Sequence, residues 1–180
     1  MPKTPKLILE KAQKIKLLLL DVDGVLTDGS VFYDEKGREI KRFFVQDGQG
    51  IRWLQKSGID VGFLSGRSSQ AVTKRAEELG IRFCFQGIRN KMEVFEKVLR
   101  QTALQPEEVS FMGDDFIDVP LMKRVGFPIS VMNGHPLVQR EAVHIPNAIG
   151  GRGAVREVCE LILRAQNKWD PLLREYGLSL

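Results

Sequence analysis

The stretch KLLLLDVDGVLTDG, residues 16–29, decides the fold of this chain. Four consecutive leucines lead into Asp21, and Asp23 and Asp28 follow within the next seven residues. A continuous apolar run of this length is typical of a strand buried on both faces, as in a parallel sheet. Three carboxylates within eight residues repel one another unless something neutralises them. The sequence therefore predicts a buried strand that ends beside a bound cation.

Strand-like runs and helical segments alternate along the rest of the chain. After the first strand we predict a hairpin, Ser30–Phe44, that turns at Asp34–Gly37. We predict four further strands and five helices, with Asp47, Ser68 and Asn90 as helix caps and Gly58 and Gly80 as helix ends. This alternation predicts an α/β fold, a Rossmann-like, mainly parallel sheet flanked by helices, with the hairpin as a β-flap.

Length and charge narrow the possible classes of protein. The 180 residues predict one domain, 1–180, with the flap at about 29–44 and a C-terminal tail at about 167–180. The net charge of +4 is spread without a run of five basic residues, which argues against a nucleic-acid partner. The apolar runs are too short to cross a membrane, and two cysteines make no disulfide framework. We therefore expect a cytoplasmic protein with no membrane partner and a small anionic substrate.

Polar and charged residues follow each predicted strand at its carboxyl end, where open parallel sheets bind their ligands. These residues are Asp21 and Asp23 after the first strand, Ser65, Gly66 and Arg67 after the second, Lys91 after the third, and Asp114, Asp115 and Asp118 after the fourth. Each alone has an ordinary structural explanation as a turn, a helix cap or a surface lysine. Their joint position at one rim of the sheet predicts a catalytic site.

Four motifs at these positions resemble those of the haloacid dehalogenase-like phosphatases. They are DVDGVLTD, LSGR, Lys91 and GDDFID. The resemblance implies a phospho-aspartate mechanism in which Asp21 is the nucleophile and Asp23 is the general acid and base. It also implies that Ser65 donates hydrogen bonds to the phosphoryl oxygens and that Lys91 neutralises phosphate charge.

The same resemblance implies a Mg²⁺ cofactor, which prefers hard oxygen ligands. Its protein ligands would be Asp21, the backbone carbonyl of Asp23, and Asp114. Asp115 and Asp118 would lie just behind these ligands, with Asp118 orienting Lys91. The sequence leaves the preference among Mg²⁺, Mn²⁺ and Co²⁺ open.

The predicted elements fill the chain between the motifs, so no cap domain covers the site. Several arginines near the predicted rim suggest that the enzyme recognises a second anion beyond the transferred phosphate. These are Arg52, Arg67, Arg75 and Arg152.

Further segments resemble a capless, tetrameric subfamily that dephosphorylates a sugar acid of lipopolysaccharide synthesis, 3-deoxy-D-manno-octulosonate (KDO) 8-phosphate. The segments are the hairpin, FFVQDGQGI, GIRNKMEVFE and GGRGAVREV. This resemblance implies substrate contacts by Asp23, Phe44, Val45, Gln46, Asp47, Gly48, Arg52, Arg67, Arg75 and Lys91. Phe44 and Gln46 stand where relatives often carry an amide and a basic group, so we expect backbone contacts from this stretch.

Alternatives remain open at this point. The substrate could be another sugar acid phosphate, such as a nonulosonate 9-phosphate, since only the lining of the pocket would differ. A catalytically silent module that forms tetramers is disfavoured, because no motif residue is missing. A dinucleotide-binding domain is disfavoured, because no Gly-x-Gly-x-x-Gly follows the first strand.

The hairpin and the tail bear on assembly. Val31, Phe32, Phe43 and Phe44 make the hairpin apolar, which predicts burial against partner chains in a homotetramer. We expect the tail to break at Asp170–Pro171 and to be either a lid over a neighbouring site or a frayed terminus.

Overall fold

The computed structural model describes residues 5–178. The strands in chain order are β1 (Leu17–Asp21), β2 (Phe32–Tyr33), β3 (Glu39–Ile40), β4 (Asp60–Leu64), β5 (Phe83–Phe85), β6 (Val109–Gly113) and β7 (Phe127–Ser130). The α-helices are α1 (Lys6–Ala12), α2 (Val45–Lys56), α3 (Gln70–Leu79), α4 (Lys91–Thr102), α5 (Val119–Met122), α6 (Pro136–Gln139), α7 (Ala154–Ala165) and α8 (Trp169–Glu175). Two short 3-10 turns, Pro106–Glu108 and Phe116–Asp118, flank β6. None of the helices between residues 5 and 178 has the length and apolarity that crossing a bilayer requires.

Five parallel strands form the central sheet, in the order β5-β4-β1-β6-β7. Strand β1 lies in the middle, so that Leu17 pairs with Asp60 on one side and with Val109 on the other. All five residues of β1 are buried, as the unbroken apolar run predicts. The α/β fold with a parallel sheet is confirmed, and its central strand delivers Asp21 to the carboxyl rim.

Helices cover both faces of the sheet and divide the core into two layers. Leu18 and Leu20 belong to the larger layer, which packs against α1, α2, α3, α7 and α8. Leu17 and Leu19 point the other way, into the layer formed with α4 and α5. Alternate residues of a strand face opposite sides, and each fully buried leucine contributes roughly 1.5–3 kcal/mol. The four leucines thus hold both helical layers to the strand that carries Asp21.

Helix boundaries depart from the predicted caps in two of three places. The side chain of Asn90 accepts the Met92 N–H at 3.0 Å, which confirms it as the cap of α4. Asp47 is not a cap of α2, because that helix begins at Val45. Ser68 is not the cap of α3 either, because Ser69 holds that position and its N–H is fixed by the Gln86 side chain at 2.7 Å.

The predicted hairpin is present, with shorter arms than its sequence suggests. Phe32 pairs with Ile40 and Tyr33 with Glu39, and the Gly37 N–H donates to the Asp34 carbonyl at 2.9 Å to close the turn. Phe32 and Ile40 are about half exposed, at 49% and 53%. The described chain therefore carries an apolar flap surface that its own core does not cover.

The predicted break in the C-terminal tail is wrong. Pro171 lies in the first turn of α8, where a proline leaves no helical hydrogen bond unmade. Trp169 and Leu172 are buried in the core, and the Tyr176 hydroxyl lies 3.0 Å from Nε1 of Trp53 on α2. The tail as far as Leu178 thus packs on helices of its own chain, and its last two residues lie outside the described range.

Candidate active site

Asp21 ends β1 with its side chain buried at the rim. Its Oδ1 accepts the N–H of Val22 at 2.7 Å and lies 3.0 Å from Nζ of Lys91. Burial raises the pKa of Asp21 to about 6, although Lys91 opposes the rise. The residue predicted to be the nucleophile is therefore a buried carboxylate whose ionised form depends on neighbouring cations.

Gly24 makes the turn that brings the first motif against the fourth. Its φ is +92°, a conformation that glycine adopts readily, and a Cβ at this position would collide with the carboxylate of Asp114. This close approach requires a glycine. The turn therefore sets the loop after β1 directly beside the acid that follows β6.

Lys91 is the first residue of α4, and its side chain is buried between two acids. Its Nζ lies 3.0 Å from Oδ1 of Asp21 and 2.6 Å from Oδ1 of Asp118. Burial disfavours the ammonium, but the two carboxylates outweigh it and raise the pKa of Lys91. A buried lysine that stays charged beside a nucleophile can receive phosphoryl oxygens.

Asp114 follows β6 and shares this acidic corner. Its Oδ1 is buried without a hydrogen-bond partner among the described residues. Burial and the negative charges of Asp21 and Asp118 raise the pKa of Asp114 to about 8. A bound cation would stabilise the ionised form of this carboxyl and give its unpaired oxygen a partner.

Asp118 is fully buried and already saturated with hydrogen-bond donors. Its Oδ1 accepts from Lys91, and its Oδ2 accepts the backbone N–H groups of Asp114 and Asp115 at 3.0 and 3.2 Å. Asp115 caps the 3-10 turn through the Phe116 N–H at 2.7 Å. Asp118 is thus placed to orient Lys91 and the loop after β6.

The corner formed by these acids fits a magnesium ion. Oxygens of Asp21, Asp114 and Asp118 lie within 4.8 Å of one another, and hard carboxylate oxygens are the ligands that Mg²⁺ prefers. The two oxygens of Asp118 are engaged, whereas Oδ1 of Asp114 is free. Asp21 and Asp114 are therefore the carboxylates best placed to hold the metal.

Ser65 and Arg67 follow β4 and complete the rim. The buried Ser65 Oγ accepts the N–H of Arg67 at 3.1 Å, so its own proton remains free to donate. The guanidinium of Arg67 reaches back to the hairpin, where it lies 2.8 Å from Oε1 of Glu39 and 3.4 Å from the Tyr33 hydroxyl.

Sequence reasoning missed Lys41 and Glu39, which the hairpin carries to this rim. Nζ of Lys41 forms an ion pair with Oδ1 of Asp23 and lies 3.3 Å from Oε1 of Glu39. Only 1% of the Lys41 side chain is exposed. The signal in the sequence was the alternation of Glu39, Ile40 and Lys41, which places the two charged residues on one face.

The predicted substrate stretch, residues 44–48, forms the start of α2. Val45 and Gln46 are exposed, and Phe44 is half-buried at the helix N-cap. Asp47 is buried instead, and its carboxylate accepts the N–H of Arg156 at 2.8 Å at the start of α7. Burial raises the pKa of Asp47 to about 6, although hydrogen bonds from the backbone of Arg156 and Gly153 oppose the rise. Its side chain therefore joins α2 to α7, which leaves the backbone of the stretch for contacts with a ligand.

The predicted arginines differ in their placement. Arg75 packs against Gly48, where a Cβ would clash with its guanidinium, and lies 5.8 Å from the ring centroid of Phe43. Arg52 donates to the Glu78 carbonyl at 2.9 Å, and Arg152 is exposed in the loop before α7. Arg67 and Arg75 are thus the two whose surroundings include the hairpin.

Lys41 lines one cavity, and Asp23, its ion-pair partner, lines another. The catalytic cavity, of about 260 Å³, is lined by Asp21, Asp23, Gly29, Gly66, Arg67, Asp114, Asp115 and Ile117. A second cavity, of about 320 Å³, is lined by Lys41, Phe43, Val45, Ala71, Lys74, Arg75 and Glu78. A larger cavity, of about 490 Å³, lies at the amino ends of the strands, next to Lys16, Ile59 and Glu108. The acids mark the catalytic cavity, which cavity size alone would have missed.

The site combines a buried carboxylate at the end of the central strand, a second acid two residues on, a buried lysine and a further acid. This is the arrangement expected of phosphoryl transfer through an aspartate. Residues 48–126 match the family model of haloacid dehalogenase-like hydrolases. The 3-deoxy-D-manno-octulosonate 8-phosphate phosphatase KdsC of Escherichia coli K12 is 45% identical over 163 residues, which cover 91% of this chain and 87% of that protein. The chain therefore belongs to the haloacid dehalogenase-like hydrolases and, among them, to the family of 3-deoxy-D-manno-octulosonate 8-phosphate phosphatases.

Solved structures agree with this assignment. The phosphatase of the same name from Yersinia pestis is 43% identical, with a TM-score of 0.91 over 92% of this chain and 90% of that one. The enzyme from Moraxella catarrhalis, solved with a magnesium ion, a phosphate ion and KDO, is 41% identical, with a TM-score of 0.92 over 94% of this chain and 97% of that one.

Proposed function

We propose that this chain is a Mg²⁺-dependent phosphomonoesterase that hydrolyses 3-deoxy-D-manno-octulosonate 8-phosphate to KDO and phosphate in lipopolysaccharide biosynthesis. The observation that carries the proposal is the buried corner where Asp21 lies 3.0 Å from Lys91 and beside the orphaned oxygen of Asp114. Phosphoryl transfer to aspartate requires a nucleophilic carboxylate, a fixed ammonium and a further carboxylate that can bind a metal ion.

The first half-reaction transfers the phosphoryl group to the enzyme. A carboxylate oxygen of Asp21 attacks phosphorus, and the bond from phosphorus to the sugar oxygen breaks. Asp23 gives its proton to that oxygen as it leaves. Ser65 and Lys91 offset the charge on the phosphoryl oxygens, and Asp118 keeps the Lys91 ammonium aimed at the corner.

The second half-reaction returns the enzyme to its starting state. Asp23, now ionised, takes a proton from a water molecule, whose oxygen attacks the phosphorus of phospho-Asp21. The phosphorus–carboxylate bond breaks, and phosphate leaves. Mg²⁺ held by Asp21, Asp114 and the Asp23 carbonyl would offset the phosphate charge that repels the nucleophile.

The substrate assignment rests on the family and on the groups around the second cavity. Lys74 and Arg75 give the lining of that cavity two basic groups, which suits the carboxylate of a sugar acid. Arg67, Arg52 and the backbone of residues 44–48 are the further contacts that we propose. The Moraxella catarrhalis enzyme, solved with KDO and phosphate, supports a sugar acid as the product.

The assignment is tested by phosphate release from a panel of phosphate monoesters, with and without Mg²⁺. The panel contains KDO 8-phosphate, a nonulosonate 9-phosphate and a hexose 6-phosphate, and Asp21→Asn is the matched inactive control. We expect metal-dependent turnover with kcat/KM at least tenfold higher for KDO 8-phosphate than for the others. A preference for the nonulosonate would favour the alternative substrate. Absence of metal-dependent release from every monoester would refute the function.

We further propose that the chain works in the cytoplasm as a single domain and a homotetramer, without nucleic-acid or membrane partners. Half-exposed apolar residues on the flap, including Phe32 and Ile40, support association through this surface. Cys84 and Cys159 are free thiols, which suits a reducing compartment.

A further inference from the structure

Lys41 has the properties of a built contact rather than of a surface lysine. Its side chain is 1% exposed, although the backbone around it belongs to an exposed hairpin. Burying an ammonium is costly unless it is paired, and this ammonium is paired with Asp23 and with Glu39. The hairpin therefore brings one charged side chain against Asp23, which lines the catalytic cavity.

The contact divides the two oxygens of Asp23 between two tasks. Lys41 holds Oδ1, while the residue also lines the catalytic cavity with Asp21 and Asp114. Asp21 differs, because its Oδ1 is held by the Val22 N–H and by Lys91. Among the hydrogen bonds of residues 5–178, the one from Lys41 is what fixes the direction of the Asp23 carboxylate.

Lys41 is itself held from behind. Oε1 of Glu39 lies 3.3 Å from Nζ of Lys41 and 2.8 Å from the guanidinium of Arg67. Burial would raise the pKa of Glu39, but the neighbouring cations Arg67 and Lys41 help to lower that pKa, so Glu39 stays charged. The chain Asp23–Lys41–Glu39–Arg67 thus ties the loop after β1 to the loop after β4 through the hairpin.

From this geometry we infer that Lys41 is a positioning residue for the general acid of the reaction. It holds one oxygen of Asp23 so that the other meets the oxygen of the leaving alcohol. The inference rests on the proposed function, because it assumes that Asp23 protonates the leaving group. A mispositioned acid costs most where the leaving group is a poor one, since a good leaving group departs without a proton.

The test is the dependence of kcat/KM on the leaving group in Lys41→Met. This ratio reports phosphoryl transfer to Asp21 and excludes the later hydrolysis of phospho-Asp21. Three substrates, p-nitrophenyl phosphate, phenyl phosphate and ethyl phosphate, carry neither a sugar nor a carboxylate. The fourth substrate is KDO 8-phosphate. Lys36→Met is the matched control, because Lys36 is an exposed lysine in the turn of the same hairpin. Lys41→Arg keeps the charge, and circular dichroism with thermal melting verifies folding.

We expect Lys41→Met to lower kcat/KM by about twofold or less with p-nitrophenyl phosphate and by about 10–100-fold with the alkyl phosphates, as part of the ~10²–10⁴-fold that a general acid contributes. Lys41→Arg should recover most of the loss, and Lys36→Met should match the wild type. An equal loss across the series would overturn the inference, and so would a loss confined to KDO 8-phosphate, which would make Lys41 a substrate contact. Failure of the proposed function differs, because the wild type would then release no phosphate from any of these compounds.

Discussion

Asp118→Asn tests whether Asp118 binds the metal itself or only orients Lys91 and the loop that carries Asp114. The Asp118 carboxylate accepts three hydrogen bonds at once, from Lys91 Nζ at 2.6 Å and from the backbone N–H groups of Asp114 and Asp115. An amide has one acceptor oxygen. If that oxygen serves the two backbone groups, the amide NH₂ faces the ammonium of Lys91, and donor meets donor.

The cost of this change follows from the contacts that are lost. A hydrogen bond to a charged group is worth roughly 1.5–3 kcal/mol, and removing one partner of a buried ion pair costs roughly 3–5 kcal/mol. Two effects reduce this cost. Lys91 keeps its contact with Asp21 at 3.0 Å, and the loss of the negative charge of Asp118 makes Asp114 easier to ionise. We therefore expect Asp118→Asn to destabilise the protein by about 2 kcal/mol, which lowers Tm by about 4–8 °C at this chain length.

Two measurements on one set of variants decide the matter. Urea unfolding gives the loss of stability, and calorimetric titration with Mg²⁺ gives metal affinity. Asp115→Asn is the control, because that carboxylate caps an exposed turn and should cost about 1 kcal/mol or less. Asp114→Asn should abolish metal binding, whereas Asp118→Asn should keep it within tenfold and lower kcat. If Asp118→Asn removed metal binding as completely as Asp114→Asn, or cost no stability, the positioning role would be wrong.

Three further predictions address the nucleophile, the metal and the assembly. Asp21→Asn should abolish turnover in a folded protein, and rapid-quench phosphopeptide mapping of the wild type should find phosphate on Asp21 and no other residue. Removing Mg²⁺ with EDTA should stop phosphate release, and the metal-free protein should lose stability as pH rises from about 4 to 8. In that window the native Asp21 and Asp114, with pKa values raised to about 6 and about 8, bind protons that the unfolded chain has released at 3.8. Mg²⁺ should remove the part of this loss that Asp21 and Asp114 cause, in melts taken across the pH range, whereas the part from Asp47, whose pKa is also raised to about 6, should remain. A metal-free Tm that rises with pH would contradict the reasoning. Phe32→Ser with Ile40→Ser should dissociate the proposed homotetramer in sedimentation, and an unchanged mass would remove the flap from the interface.

The parallel sheet and the acidic rim could be predicted because their signals are local. Four leucines in a row specify a strand buried on both faces, and a parallel strand delivers the residue after it to the carboxyl edge. Gly80 ends α3 at a φ of +65°, which the sequence also indicates. These features depend on residues within one or two turns of each other.

The roles that sequence reasoning missed depend on partners far along the chain. Asp47 has the composition of a helix cap, but the helix that it caps begins more than 100 residues later, at α7. Lys41 alternates with Ile40 in a pattern that separates an inner from an outer face, but the pattern does not say which face meets Asp23. Tertiary packing makes both choices.

The hairpin therefore presents two faces with separable tasks. Deleting Ser30–Arg42 would remove both the apolar outer face and Lys41. If the resulting monomers kept aryl phosphatase activity and lost sugar-acid activity, the loss of the outer face and the loss of Lys41 would each explain the result. The two ion pairs of the inner face, Asp23 with Lys41 and Glu39 with Arg67, lie within one chain. A serine pair on the outer face should then dissociate the protein and leave the leaving-group dependence of kcat/KM unchanged. If dissociation reproduced the Lys41→Met profile, the inner face would depend on neighbouring subunits, and the site would be complete only in the assembly.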